Sequence, residues 1–150
     1  MAIICRQYRK SKDSNADKGG FTQMDANATW LNEPSGRVIG CAFTVLNTLG
    51  PGFLEKVYEN ALAHELRKAA LEVMQQHALT VTYDDVVVGQ YRVDLLVEQT
   101  LLVELKTVRA LDDGHRAQCL NYLKATGLPL CLLLNFGKPR LEIGRVANGL

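Results

Sequence analysis

The chain has 150 residues, 47% hydrophobic, 22% charged and 7% aromatic, a balance that suits one globular domain with its own core and excludes disordered and fibrous classes. The net charge of +1 is uneven: residues 1–23 carry five Lys/Arg and two Asp, leaving twelve Lys/Arg against fourteen Asp/Glu from Met24 onward. The body therefore lacks the basic excess that holds a protein on nucleic acid through bulk electrostatics, and no run approaches the roughly 20 apolar residues of a membrane span.

Residues 1–29 are polar, without hydrophobic periodicity, and are expected to form a flexible arm ahead of a single domain over residues 30–150, with Met24 an alternative start. The opening MAIICRQYRK places its apolar run before its charges, the reverse of a signal peptide, so a cytoplasmic location is expected. Cys5, Cys41, Cys119 and Cys131 are scattered, with no CxxC pair, and read as reduced thiols.

Pro34-Ser35 starts a helix in which Val38, Cys41, Ala42, Val45, Leu46 and Leu49 recur at helical spacing until Gly50-Pro51-Gly52 stops it. A second helix follows in FLEKVYENALAHELRKA, with Leu54, Val57, Tyr58, Ala61, Leu62, Leu66 and Ala69 as its apolar stripe. From Leu79 the pattern becomes strand-like: LTVTYDDVVV, a turn at Gly89-Gln90, YRVDLLV, a turn over residues 98–100, then LLVELKTV, an antiparallel meander. Asp112-Asp113 opens a third helix that closes at Gly127, PLCLLLNF is a buried strand, and RLEIGRV a short final one. The order predicts an α/β fold with a mixed sheet flanked by helices.

Asp94, Glu104 and Lys106 interrupt the apolar strands. Side chains alternate across a strand, so Glu104 and Lys106 share one face, and the short turn at residues 98–100 can bring Asp94 beside Glu104. Buried charges need partners. Two readings stay open: an ion pair on a half-solvated face, or a site for Mg²⁺ or Mn²⁺, which prefer oxygen ligands, with Lys106 assisting attack of water on a phosphodiester.

Asp94 followed by Glu104-Leu105-Lys106 resembles the D…ExK signature of the PD-(D/E)XK nuclease superfamily, and GPGFLEKVYENAL is similar to the GxxExxY motif of the family of that name, with Gly52, Glu55 and Tyr58 at the motif positions. HRAQCLNYLKATGLPLCLLLNFGKPRL resembles that family's downstream segment, so the likeness covers about residues 35–146. It implies a restriction-endonuclease-like core, αβββαβ, in which Asp94 and Glu104 bind Mg²⁺ or Mn²⁺, the Leu105 carbonyl adds an oxygen and Lys106 assists hydrolysis. It also implies a carboxylate from the first core helix. Glu55 is the favoured choice by motif and Glu65 the second, with Glu59 expected to be solvated at the stripe's edge. Gln118 is the matching position for a helix glutamine that completes the active site.

His115, Gln118 and Tyr122 share one helix face. Capping by His115 and core packing by Tyr122 stand against their lining a pocket, and Tyr58 is a further supporting candidate. Arg92 and Arg109 flank the charges and could contact phosphates, or be ordinary surface residues.

Two functions follow. One is a divalent-metal-dependent nuclease acting on nucleic acid, with DNA placed ahead of RNA. The alternative is a non-catalytic interaction module on the same fold, acting through a protein partner or a homodimer, with no membrane association in either case.

Overall fold

Proline at the first turn costs no hydrogen bond and pre-sets φ, and Pro34 accordingly begins helix α1, Pro34–Leu49. Val38, Ile39, Ala42, Val45 and Leu46 form its buried face, and Gly50, at φ 73°, ends it by donating its N–H to the Leu46 carbonyl. The structure, a computed structural model, describes residues 33–149; the expected N-terminal arm, Cys5 and Met24 lie outside the described residues.

Helix α2, Glu55–Lys68, buries Tyr58, Glu59, Leu62, Ala63 and Leu66. This face is rotated from the expected stripe: Leu54 is 80% exposed and Val57 39%, whereas Glu59 is buried. Tyr58 sets the rotation. Its ring stacks on Phe136 at 4.9 Å, and its hydroxyl donates to the Gly50 carbonyl (2.5 Å) and accepts from Phe53 N–H (3.2 Å), pinning the loop between α1 and α2. Tyr58 thereby packs the core and closes this loop.

Five strands follow, β1 Val73–Tyr83, β2 Val86–Val97, β3 Leu101–Lys106, β4 Leu130–Asn135 and β5 Glu142–Ala147, with helix α3, Asp113–Thr126, between β3 and β4. The sheet order is β1-β2-β3-β4-β5, parallel between β3 and β4 and antiparallel elsewhere. Residues 101–105 and 131–135 are buried, as expected of strands covered on both faces, which is why their sequences are nearly continuous runs of Leu and Val. One core lies between the sheet and α1 with α2, the other between the sheet and α3. The α/β fold with a mixed sheet flanked by helices is the expected one. Cys119 and Cys131 are buried free thiols and Cys41 is half-buried. No helix among the described residues is long and apolar enough to cross a membrane.

The first hairpin departs from expectation. β1 begins six residues earlier than Leu79, and the turn falls at Asp84-Asp85, not at Gly89-Gln90. Both aspartates adopt positive φ (52° and 61°), as a two-residue hairpin turn requires and as Asp tolerates. Gly89 instead continues β2 opposite Val81.

Buried Asn135 locks the segment leaving β3: its amide oxygen accepts from Val108 and Gly137 N–H, and its amide nitrogen donates to the Val108 carbonyl and to Glu142. Gly137 lies against that segment so closely that a Cβ would fall 2.6 Å from Val108 N and O and 2.7 Å from the Thr107 carbonyl carbon. Backbone cannot yield as a flexible side chain does. Gly137→Ala is accordingly expected to lower stability by about 1–3 kcal/mol, the usual cost of overpacking, in urea denaturation.

Candidate functional site

The antiparallel pairing of β2 with β3 ends at Leu95↔Val103. Beyond it the ladder is replaced by side chains: Asp94 N–H donates to Glu104 Oε1 (3.3 Å), and Leu105 N–H donates to Asp94 Oδ2 (2.8 Å). The two carboxylates thus occupy a fork between strands, each held by the backbone of the other's strand. Glu104 is 7% exposed.

Lys106, two residues on and on the same face as Glu104, places Nζ 3.7 Å from Glu104 Oε2 and donates to Gln118 Oε1 at 3.1 Å. Of the two fork carboxylates, the ammonium meets Glu104. The outcome is visible in Glu104, whose pKa burial, reinforced by the Asp94 charge, pushes up to about 7 against the opposing pull of Lys106. Burial also raises Asp94, with Leu105 N–H pulling the other way and Glu59 adding to the rise. Tyr122 is raised by burial and then by the Glu104 charge, which puts its hydroxyl in the same electrostatic environment.

Helix α2 supplies two further carboxylates one turn apart. Glu55 Oε2 accepts from Thr107 N–H (3.1 Å) and lies 3.4 Å from its hydroxyl, tying the helix start to the end of β3, and its charge acts on both Asp94 and Glu104. Glu59, expected to be solvated, is 3% exposed. Its Oε1 accepts from Lys56 (3.0 Å) and Gln76 (2.8 Å), and its Oε2 from Gln75 (2.8 Å). Glu65 is not part of this group: it pairs with Lys68 at 3.1 Å and acts on Cys41 of α1.

Of the residues expected on α3, Gln118 meets Lys106. His115 does not line a pocket through a free imidazole. It completes a capping box with Asp112, its Nδ1 accepting from Asp112 N–H and its own N–H donating to Asp112 Oδ1. Tyr122 is buried against Tyr91, ring centroids 6.0 Å apart. Arg92 donates to the Gln76 carbonyl (2.9 Å), bracing β1.

Gln75 and Gln76 carry neither charge nor hydrophobic period that would mark them in the sequence. Gln76 breaks the regular pairing between Gln75↔Leu95 and His77↔Val93 and sits at φ 54°, and its amide donates to both Glu59 and Asp94. An adjacent glutamine pair inside a strand, near acidic residues one helical turn apart, was the available signal.

Oxygen donors that suit a hard cation are thus gathered in the fork: the Asp94 and Glu104 carboxylates, with Glu55 alongside. Among the described residues no group of three or more His, Cys, Asp or Glu side chains is arranged to hold a metal ion by itself. The donor chemistry fits, because buried Glu104 and half-buried Asp94, with a single ammonium beside them, leave negative charge unbalanced.

A family model described as PD-(D/E)XK nuclease superfamily matches residues 32–146. No curated protein matches the chain. A solved structure titled "Crystal structure of SSO0001" aligns at 16% identity with a TM-score of 0.47, covering 82% of this chain and 61% of that one, so this chain spans less than two thirds of that protein's length.

The raised Glu104 pKa fixes a sign. The group titrates near 4.5 when unfolded and near 7 when folded, so the native state binds the extra proton between these values. Stability without metal is therefore highest below the unfolded value and falls as pH rises through about 7, by on the order of 3 kcal/mol from this group. Glu104→Gln should flatten that window and melt several degrees above wild type at pH 8; parallel melting curves from pH 4.5 to 8 would remove Glu104 as the source.

Proposed function

The chain belongs to the PD-(D/E)XK nuclease superfamily, and on that premise we propose that it is a divalent-metal-dependent nuclease of the GxxExxY type that hydrolyses nucleic-acid phosphodiester bonds, DNA ahead of RNA. The observation that carries this reading is the fork itself: Asp94 and Glu104 share one opening in the sheet, with Lys106 Nζ 3.7 Å from Glu104.

Asp94 and Glu104 would hold Mg²⁺ or Mn²⁺, with the Leu105 carbonyl and Glu55 as further oxygen ligands. When bound, the cation supplies Lewis-acid polarisation of a phosphoryl oxygen. Lys106 presents its ammonium where negative charge develops on the phosphate, and orients water for in-line attack. Gln118, its Oε1 occupied by Lys106, keeps its amide N–H groups for a phosphate oxygen. Buried Tyr122 excludes solvent from the Glu104 side, and strengthens the field that Lys106 exerts. With so little net positive charge, substrate contacts would be local, and Arg109, exposed beyond the end of β3, would supply one.

The alternative, an interaction module without catalysis, draws on a different feature. Tyr83, Val86, Val87, Val88 and Tyr91 are each more than half exposed near the tip of the β1–β2 hairpin, an apolar surface suited to a protein partner or a second copy.

Purified protein with Mn²⁺ or Mg²⁺ should cleave DNA, and chelation should abolish it. Asp94→Ala and Lys106→Ala are each expected to lower cleavage by roughly 10²–10³-fold or more, with circular dichroism unchanged. Folded protein that cleaves neither DNA nor RNA in any form would leave the interaction module standing. Cation binding should also displace the Glu104 proton. Calorimetry at pH 6.5 should show heats that vary with buffer ionisation enthalpy, reporting release of up to one proton, and Glu104→Gln should remove that dependence.

A further inference from the structure

Among the described residues, six that are not glycine have positive φ: Ala70, Gln76, Asp84, Asp85, Glu98 and Gln99. Five lie in turns, where that conformation reverses the chain. Gln76 lies inside β1, where a left-handed residue breaks the ladder and costs of order 1–3 kcal/mol unless its surroundings over-determine it. The surroundings do so at three points. Arg92 donates to the Gln76 carbonyl at 2.9 Å, and the side-chain Nε2 donates to Glu59 Oε1 at 2.8 Å and to Asp94 Oδ1 at 3.2 Å. An amide nitrogen has two hydrogens, so this one nitrogen can serve both carboxylates.

The two acceptors differ in kind. Glu59 is anchored from elsewhere, by Lys56 on its own helix and by Gln75, which itself also donates to Asn60 at 2.9 Å. Among the described residues, Asp94 has one other hydrogen bond through its carboxylate, from the Leu105 N–H to Oδ2. A rigid group therefore meets a group that would otherwise pivot, and the amide between them fixes the pivot.

We propose that Gln76 is a positioning residue: its amide, set by the fully braced Glu59, holds the Asp94 carboxylate in the rotamer in which the fork accepts a divalent cation. This inference rests on the reading of Asp94 and Glu104 as cation ligands. Glu59 belongs to the scaffold, since Lys56, Gln75 and Gln76 already occupy both its oxygens. The left-handed backbone follows from the task, because a regular strand residue at this position would carry its side chain along the normal alternation rather than into the gap between α2 and β2.

The test is Mn²⁺ binding by calorimetry on the whole chain, alongside melting without metal. Gln76→Asn tolerates positive φ and keeps an amide, but is one methylene too short to span Glu59 and Asp94. Gln76→Gly adopts the same backbone freely and removes the amide altogether. Both should bind Mn²⁺ about 10–100-fold more weakly than wild type, the usual cost of removing a group that orients a metal ligand, while melting within a few degrees of it in the absence of metal. Wild-type affinity in both variants would overturn the role of Gln76 and leave the proposed nuclease intact. Absence of Mn²⁺ binding by the wild type would overturn both. Failure of both variants to fold would assign Gln76 to folding and overturn the inference as well.

Discussion

The parting of β2 from β3 after the Leu95↔Val103 pair is the constraint on which the site depends. Where the strands diverge, two backbone N–H groups lose their ladder partners inside the protein, and leaving such donors unpaired costs about 1–3 kcal/mol each. Asp94 and Glu104 supply the acceptors in crossed fashion, each carboxylate taking an N–H from the opposite strand. The acidic pair is thus structural before it is chemical. The same bonds that close the gap fix where the carboxylates lie.

What the backbone gains, electrostatics opposes. Burial raises both carboxylates, Glu59 adds to the rise at Asp94 and Asp94 to the rise at Glu104, and Lys106, shared between Glu104 and Gln118, offsets only part of the effect on Glu104. A fold that needed only to close the fork could do so with Asn and Gln, whose carbonyls accept the same bonds without charge. Two ionisable acids in this place impose a penalty that neutral acceptors would avoid. The rest of the chain holds it in position: Glu55 ties α2 to Thr107, Asn135 and Gly137 fix the segment after Lys106, and Tyr58 stacked on Phe136 sets the rotation of α2 about its axis.

Legibility in the sequence followed the reach of each interaction. The strands β3 and β4 and the end of α3 at Gly127 are specified locally, by apolar runs and by a glycine at φ 74°, and they were readable. Alternation put Glu104 and Lys106 on one face, and the tight turn at Glu98-Gln99 brought Asp94 alongside. The α2 face was misjudged because Leu54 and Val57 look like core residues, whereas the contact that decides the rotation joins Tyr58 to Phe136, 78 residues away in sequence. That rotation turned Glu59 inward and Glu65 toward α1. The turn differs from the expected one because glycine is the stronger turn former in isolation, yet the two aspartates adopt positive φ themselves and Gly89 pairs with Val81 inside the ladder.

The glutamines were invisible for a further reason. Gln76 is not marked by charge or hydrophobic period, and its left-handed backbone has no local cause: glycine or asparagine would sit there with less strain. Only the partners explain it, and they come from α2, β2 and Arg92. Glycine would lack the amide, and asparagine would not reach from Glu59 to Asp94. A longer amide is thus kept at a backbone position that disfavours it, beside a carboxylate whose orientation it controls. Strain tolerated in the middle of a strand, where a relaxed residue would pair normally, locates the demand at the carboxylate rather than in the sheet.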